Sequence, residues 1–199
     1  MIKITTLILG LLTLNGFSQE YKSVDEVLGI AIGETVSNFK AITNNADTFE
    51  LQEALTNGPV LLIFYRGQWC SFCSRYLSKI QDSLSFIEAK GVTVFGVSPE
   101  KPTVSVIAAE KTKAEFKLLY DDGYEISNAF DLAFLSDNAK LLKYNGAVNA
   151  NLKTAHSDDS QRLPVPATYI IGTNGKVIWR HFDVNYKKRA SVTEILKQL

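Results

Sequence analysis

Six apolar residues in a row, Val60 to Tyr65, lie between two breakers, Asn57-Gly58-Pro59 and Arg66-Gly67-Gln68-Trp69, and they constrain the fold more than any other feature. The run has no polar alternation, so it offers no face to water. It predicts a strand buried on both faces of a covered sheet. From Cys70 to Ala89 the pattern turns helical, with Phe72, Leu77, Ile80, Leu84 and Ile87 recurring at helical spacings and Lys90-Gly91 as the C-cap. Val92 to Val97 predicts a second buried strand. A strand, a crossover helix and a second strand in so short a stretch make a βαβ unit with parallel strands.

The rest of the chain fits the same α/β class. Val104 to Phe116 reads as a helix, Lys117 to Tyr120 as a short strand closed by Asp121-Asp122-Gly123, and Tyr124 to Leu132 as a short amphipathic helix. Residues 22–57 are polar and mixed, with a turn and a short helical piece between Ala46 and Leu55. Residues 133–163 are polar and irregular. Ala167 to Ile171 predicts a strand, Thr173-Asn174-Gly175 a hairpin turn, and Lys176 to Phe182 the antiparallel return. Ser191 is placed to N-cap a terminal helix running to Leu199. With no repeat and no long linker, one α/β domain over residues 19–199 is expected.

Residues 1–18, MIKITTLILGLLTLNGFS, read as an address and not as part of that domain. Lys3 supplies a positive start, Ile4 to Leu14 an apolar stretch, and Gly16-Phe17-Ser18 a small-x-small cleavage site. The stretch is shorter than the about 20 apolar residues that cross a bilayer, and no cysteine follows it to take a lipid. The expectation is a cleaved signal peptide with no membrane anchor afterwards. The exported chain would enter a periplasm or the exterior, where a cysteine pair can persist as a disulfide. Lys+Arg and Asp+Glu both number 21, so neither an overall field nor a long basic run attracts nucleic acid.

The chain has two cysteines, Cys70 and Cys73. At the start of a helix, residues three apart share a face, within disulfide reach. The unpaired N–H groups and partial positive charge there stabilise a thiolate, and in such motifs the thiol pKa falls to roughly 3.5–7.5. A redox-active pair follows. A purely structural disulfide is the alternative, although closing so short a loop removes little chain entropy. Zinc needs four ligands and only His156 and His181 are left to help. A c-type haem needs His where Ser74 stands.

Around the pair, Arg66 is placed either to steady a thiolate and charge that develops beside it or as a solvated loop arginine. Trp69 either shields the sulfurs or packs the core, and Tyr65 could bring a hydroxyl near them. Glu50, Glu53, Asp121 and Asp122 read as solvated turn residues, and the two histidines receive no role.

The run VLLIFYRGQWCSFCSRYLSKIQ and the later GVSPEKP resemble the peroxiredoxin-like redoxins of the thioredoxin-like superfamily, the alkyl hydroperoxide reductase and thiol-specific antioxidant group. So do Gly33, Phe39, Leu118 to Asp122, and LPVPATYIIGTNGKVIW at 163–179. The resemblance covers roughly residues 30 to 199. It implies a thioredoxin-like fold with a central mixed sheet flanked by helices. It also implies reduction of hydroperoxides without a metal or organic cofactor, and re-reduction by a thioredoxin-like dithiol protein.

Two departures give a hybrid pattern. Cys70 stands where peroxiredoxins carry Thr or Ser, which would make Cys73 the attacking sulfur, whereas thioredoxins attack with the first cysteine, here Cys70. Pro166 stands where peroxiredoxins carry an arginine, as the cis proline of thioredoxins does, so the resemblance implies a cis Pro166 packed on the pair. Arg189 is a candidate for the missing arginine, or else helix-start surface charge. The disulfide-exchange chemistry of thioredoxins is the second reading, and a redoxin-shaped binding domain with a structural disulfide the third.

Overall fold

A computed structural model describes residues 21–199; the signal peptide expected over 1–18 lies outside the described residues. In chain order the elements are β1 (Lys40–Thr43), β2 (Thr48–Glu50), α1 (Leu51–Leu55), β3 (Val60–Phe64), α2 (Ser71–Gln81), α3 (Leu84–Glu88), β4 (Thr93–Ser98), α4 (Pro102–Thr112), β5 (Lys117–Tyr120) and α5 (Glu125–Ala129). They continue with β6 (Ala133–Phe134), α6 (Asn138–Asn145), α7 (Leu152–Ala155), β7 (Leu163–Pro164), β8 (Ala167–Ile171), β9 (Val177–Phe182) and α8 (Val192–Leu196).

Seven strands form one mixed sheet in the order β2-β1-β5-β4-β3-β8-β9. β3, β4 and β5 run parallel, Leu62 opposite Phe95 and Val97 opposite Leu119, while β8 lies antiparallel to β3 with Leu62 opposite Tyr169. Central β3 is buried along its whole length. Its alternate residues feed two cores, as the pleat dictates. Val60, Leu62 and Phe64 pack with Leu51, Phe130 and Leu152 on one face. Leu61 and Ile63 pack with Leu77, Ile80, Ile87 and Ile195 on the other. Each such buried side chain contributes about 1.5–3 kcal/mol. This is the α/β, thioredoxin-like architecture that the resemblance implies.

Four local expectations change. The helix expected over Cys70 to Ala89 is two, because Asp82 and Ser83 interrupt it; the Ser83 backbone leaves helical geometry and its carbonyl restarts the next helix at Ile87 N–H. Short polar side chains compete for helical backbone groups, so this is a natural break point. Within 22–57 lies a hairpin, β1 with β2, whose inward residues are Ala41 and Phe49. Within 133–163, Asp137 caps α6 by accepting from Lys140 N–H at 2.8 Å, and Leu141 and Leu152 anchor α6 and α7. Finally, Asp121 is fully buried: its carboxylate accepts from the N–H groups of Ile126 and Ser127 at the start of α5. It is a helix cap, and the solvated turn expected there is wrong.

Candidate active site

Buried β3 delivers the chain to the loop 66–70, and α2 begins immediately after it. Cys70 is the N-cap, with extended backbone, so the helix starts at Ser71, one residue later than the motif suggests. Ser74 N–H donates to the Cys70 carbonyl at 3.0 Å, and Cys70 therefore sits in the positive end of the helix dipole. Gly67 makes the turn possible: its φ is +144°, and a Cβ there would lie 2.6 Å from a Glu100 carboxylate oxygen.

The two sulfurs meet as the spacing predicts. Both cysteines are free thiols, exposed by only 3% and 1%. Cys73 Sγ lies 2.6 Å from Cys70 Sγ, beyond the bond length of about 2.05 Å but close enough for side-chain rotation to close it. Arg66 Nη2 donates to Cys70 Sγ at 3.2 Å. The Cys73 thiol donating to Cys70, helped by Arg66, pushes the Cys70 pKa down to about 5. Burial, with the Cys70 sulfur alongside, pushes the Cys73 thiol the other way, well above its ordinary value. At neutral pH the pair is a Cys70 thiolate hydrogen-bonded by a neutral Cys73 thiol.

Arg66 is buried, not a solvated loop residue. Its guanidinium lies between aromatic rings, 3.8 Å from the centroid of Tyr186, 5.0 Å from Trp69 and 5.3 Å from Tyr144, and Nη1 donates to the Tyr144 hydroxyl at 3.1 Å. A planar, weakly hydrated cation suits such a cage. Trp69 is half-buried, stacks on Tyr144 at 4.9 Å and packs against both cores. Tyr65 is buried in the same cluster as the sulfurs, and burial holds its phenol protonated.

Pro166 is not cis: the described residues contain no cis peptide bond. Pro166 and Cys73 share one neighbour, Arg189. The Pro166 carbonyl accepts from Arg189 Nη1 at 3.3 Å, while Arg189 Nη2 reaches Cys73 Sγ at 3.6 Å. Arg189 thus stands beside the second sulfur, as Arg66 stands beside the first.

Sequence reasoning missed Glu100, Tyr144 and Tyr186. Glu100 is fully buried on the loop after β4, and both its oxygens accept from Gln68 N–H, at 3.0 and 2.8 Å, while Lys111 Nζ donates to the Gln68 carbonyl at 3.2 Å. Gln68, two residues before Cys70, is thereby held at both its N–H and its carbonyl. Burial, and then the Cys70 charge, raise the Glu100 pKa to about 8. Only the acid in GVSPEKP hinted at it, and nothing in the sequence turns that side chain inward. Among the described residues no group of three or more His, Cys, Asp or Glu is placed to hold a metal ion.

Residues 32–180 match the AhpC/TSA family. A peroxiredoxin, bcp, of Haemophilus influenzae is 25% identical over 101 residues, which span 51% of this chain and 64% of that protein. The thiol-disulfide oxidoreductase ResA of Geobacillus thermodenitrificans is 21% identical over 174 residues, 87% of this chain and 82% of that one. Among solved structures, a cysteine-to-serine mutant of Xylella fastidiosa PrxQ superposes with a TM-score of 0.67 at 17% identity, covering 86% of this chain and 96% of its own. A likeness at that identity carries the fold.

Proposed function

Since the chain belongs to the AhpC/TSA family, and its site is that of a thiol-dependent oxidoreductase, we propose that it reduces small hydroperoxides with Cys70 as the attacking thiolate and Cys73 as the resolving thiol. One observation carries this reading: the Arg66 guanidinium lies 3.2 Å from Cys70 Sγ in a site that leaves Cys70 3% exposed. A peroxide oxygen is small enough to enter, and the cation is in place for the charge that develops as the O–O bond breaks.

The Cys70 thiolate attacks one peroxide oxygen; the other leaves as alkoxide or hydroxide and takes up a proton. Cys70 is then a sulfenic acid. Cys73 condenses with it, releasing water and forming the Cys70–Cys73 disulfide. An external dithiol, for which a thioredoxin-like protein is our candidate, returns the pair to the reduced state and is itself oxidised to a disulfide. Trp69 packs against the cluster that holds the pair, and Arg66 holds the thiolate.

Peroxide consumption with dithiothreitol as reductant tests this. Cys70→Ser abolishes consumption, whereas Cys73→Ser, reduced beforehand and freed of dithiothreitol, reacts with one equivalent of peroxide and accumulates a sulfenic acid detectable by dimedone labelling. Consumption retained in Cys70→Ser, with the sulfenic acid on Cys73, refutes the assignment.

Thiol–disulfide exchange is the second reading. The low Cys70 and high Cys73 thiol pKa values at a helix start are also what that chemistry uses, and the relative ResA carries that activity in its name. We also propose export to a periplasm or the exterior, supported by the pattern of residues 1–18. Cell fractionation and the N-terminal sequence of the recovered protein test it, and an intact Met1 start in the cytoplasmic fraction refutes it.

A further inference from the structure

Cys70, Cys73 and Arg66 are exposed by only 3%, 1% and 4%, so the groups that react are closed off from water. Three rings lie against the Arg66 guanidinium, those of Trp69, Tyr144 and Tyr186, and each of these residues is half-buried. They form an outer layer over the cation, with the site beneath and solvent above. The layer is not held evenly. Trp69 belongs to the cysteine loop, packs against both cores and stacks on Tyr144 at 4.9 Å. Tyr144 rides on α6, and its hydroxyl accepts from Arg66 Nη1 at 3.1 Å. The Tyr186 ring lies nearest, its centroid 3.8 Å from the guanidinium carbon, and meets Phe72 edge-on at 5.5 Å.

Tyr186 is carried by residues 183–190, which lead from β9 to α8. Among the described residues, the one backbone–backbone hydrogen bond of this connection runs from Lys188 N–H to the Asn185 carbonyl at 2.8 Å and stays within it. Side chains fasten the connection to the rest. Arg189 Nη1 donates to the Pro166 carbonyl at 3.3 Å and Nη2 reaches Cys73 Sγ at 3.6 Å. Lys187 Nζ lies 5.6 Å from the centroid of Phe72, and Ala190 is buried. Residues 183–190 are thus a strap over the start of α2, with Tyr186 above the Cys70 side. A segment fastened by side chains can lose one ring without unravelling a strand or a helix.

In the Cys70 reaction the thiolate bonds to the terminal oxygen of the hydroperoxide and the O–O bond breaks. The electron pair leaves on the oxygen that carries the alkyl group, which takes up a proton and departs as the alcohol, and Cys70 becomes the sulfenic acid. Arg66 steadies the leaving charge, so the alkyl group, one bond further on, comes up against the rings that lie on Arg66. In hydrogen peroxide that position holds only a hydrogen. Resting on the peroxide cycle proposed above, we infer that Tyr186 determines specificity: its ring fills the space over Arg66 that a tertiary alkyl group would occupy. The site therefore takes hydrogen peroxide and other small hydroperoxides and excludes bulky organic ones.

The test takes the pre-reduced protein, freed of reductant, and measures the second-order rate of its first oxidation by hydrogen peroxide and by cumene hydroperoxide. Tryptophan fluorescence and the mass of quenched samples follow the reaction. The two rates are read as a ratio on each protein. Both peroxides meet the same Cys70, so the ratio cancels any change in thiolate fraction. Tyr186→Ala is expected to raise the cumene-to-hydrogen-peroxide ratio at least about tenfold, the scale on which a site tells apart substrates that differ in bulk. Tyr186→Leu raises it less, and stands in for Tyr186→Ala if that variant folds poorly. Tyr186→Phe keeps the native ratio, because the ring and not the hydroxyl is the barrier. A ratio unchanged in both Tyr186→Ala and Tyr186→Leu, or raised as much in Tyr186→Phe, overturns this inference and leaves the peroxide cycle standing. A native hydrogen peroxide rate near that of a free thiolate overturns the cycle, and this inference with it.

Discussion

Glu100 and Cys70 draw the pH dependence of stability in opposite directions. Burial lifts the Glu100 carboxyl from 4.5 to about 8 in the folded protein. Its contribution is therefore fully present below pH 4.5 and is lost as pH rises toward 8. The donated Cys73 thiol, with Arg66, lowers Cys70 from 9.0 to about 5. Its contribution is present above pH 9 and lost as pH falls toward 5. At about 1.36 kcal/mol per pH unit, each amounts to at most about 4 kcal/mol between pH 5 and 8. Across that window these two contributions oppose each other.

Glu100→Gln keeps an oxygen for the Gln68 N–H and removes the titration. Relative to the native protein, its stability climbs with pH by up to about 4 kcal/mol across the window. Cys70→Ser removes the opposing contribution and its relative stability falls by a similar amount. Urea unfolding of the reduced proteins at several pH values from 5 to 8 measures both. Taking variant minus native cancels other buried titrating groups such as Asp121, raised to about 6, and His156, lowered to about 4, both by burial. Parallel native and Glu100→Gln curves would refute the reading that a buried carboxyl and a buried thiolate share this site.

Arg66→Met removes the cation beside Cys70 while keeping much of the stem, so the thiol pKa rises by at least about one unit. Alkylation by iodoacetamide below that pKa then slows about tenfold; an unchanged rate contradicts the role given to Arg66. Asp121→Ala leaves the N–H groups of Ile126 and Ser127 unpaired at a buried helix start, which costs about 2–3 kcal/mol. The shift in urea midpoint at pH 7 checks it, and a cost under about 0.5 kcal/mol argues that water replaces the cap.

What was legible in the sequence is what local pattern decides. The runs 60–65 and 92–97 are apolar on both faces because their strands are central, and the 173–175 turn joins a hairpin at the sheet's edge. The cysteine pair was legible because helical geometry alone brings residues three apart together. The hairpin of β1 and β2 escaped notice because its strands have four and three residues and bury only Ala41, Thr43 and Phe49. Glu100, Tyr144 and Tyr186 reach the site from loops and a short helix whose orientation is set by distant packing. Asp121 looked like a turn acid because the amides it caps lie five and six residues on. Pro166 is trans, and it meets the site only through Arg189, which donates to its carbonyl.

The most direct test of the central claim is stopped-flow oxidation of the pre-reduced protein by hydrogen peroxide, followed through Trp69 fluorescence, with Cys73→Ser alongside. The account predicts a second-order rate several orders of magnitude above that of a free thiolate, about the same in Cys73→Ser. It also predicts that the rate falls with the thiolate as pH drops through about 5. A rate near the free-thiolate value contradicts it, and makes disulfides the substrates of this site.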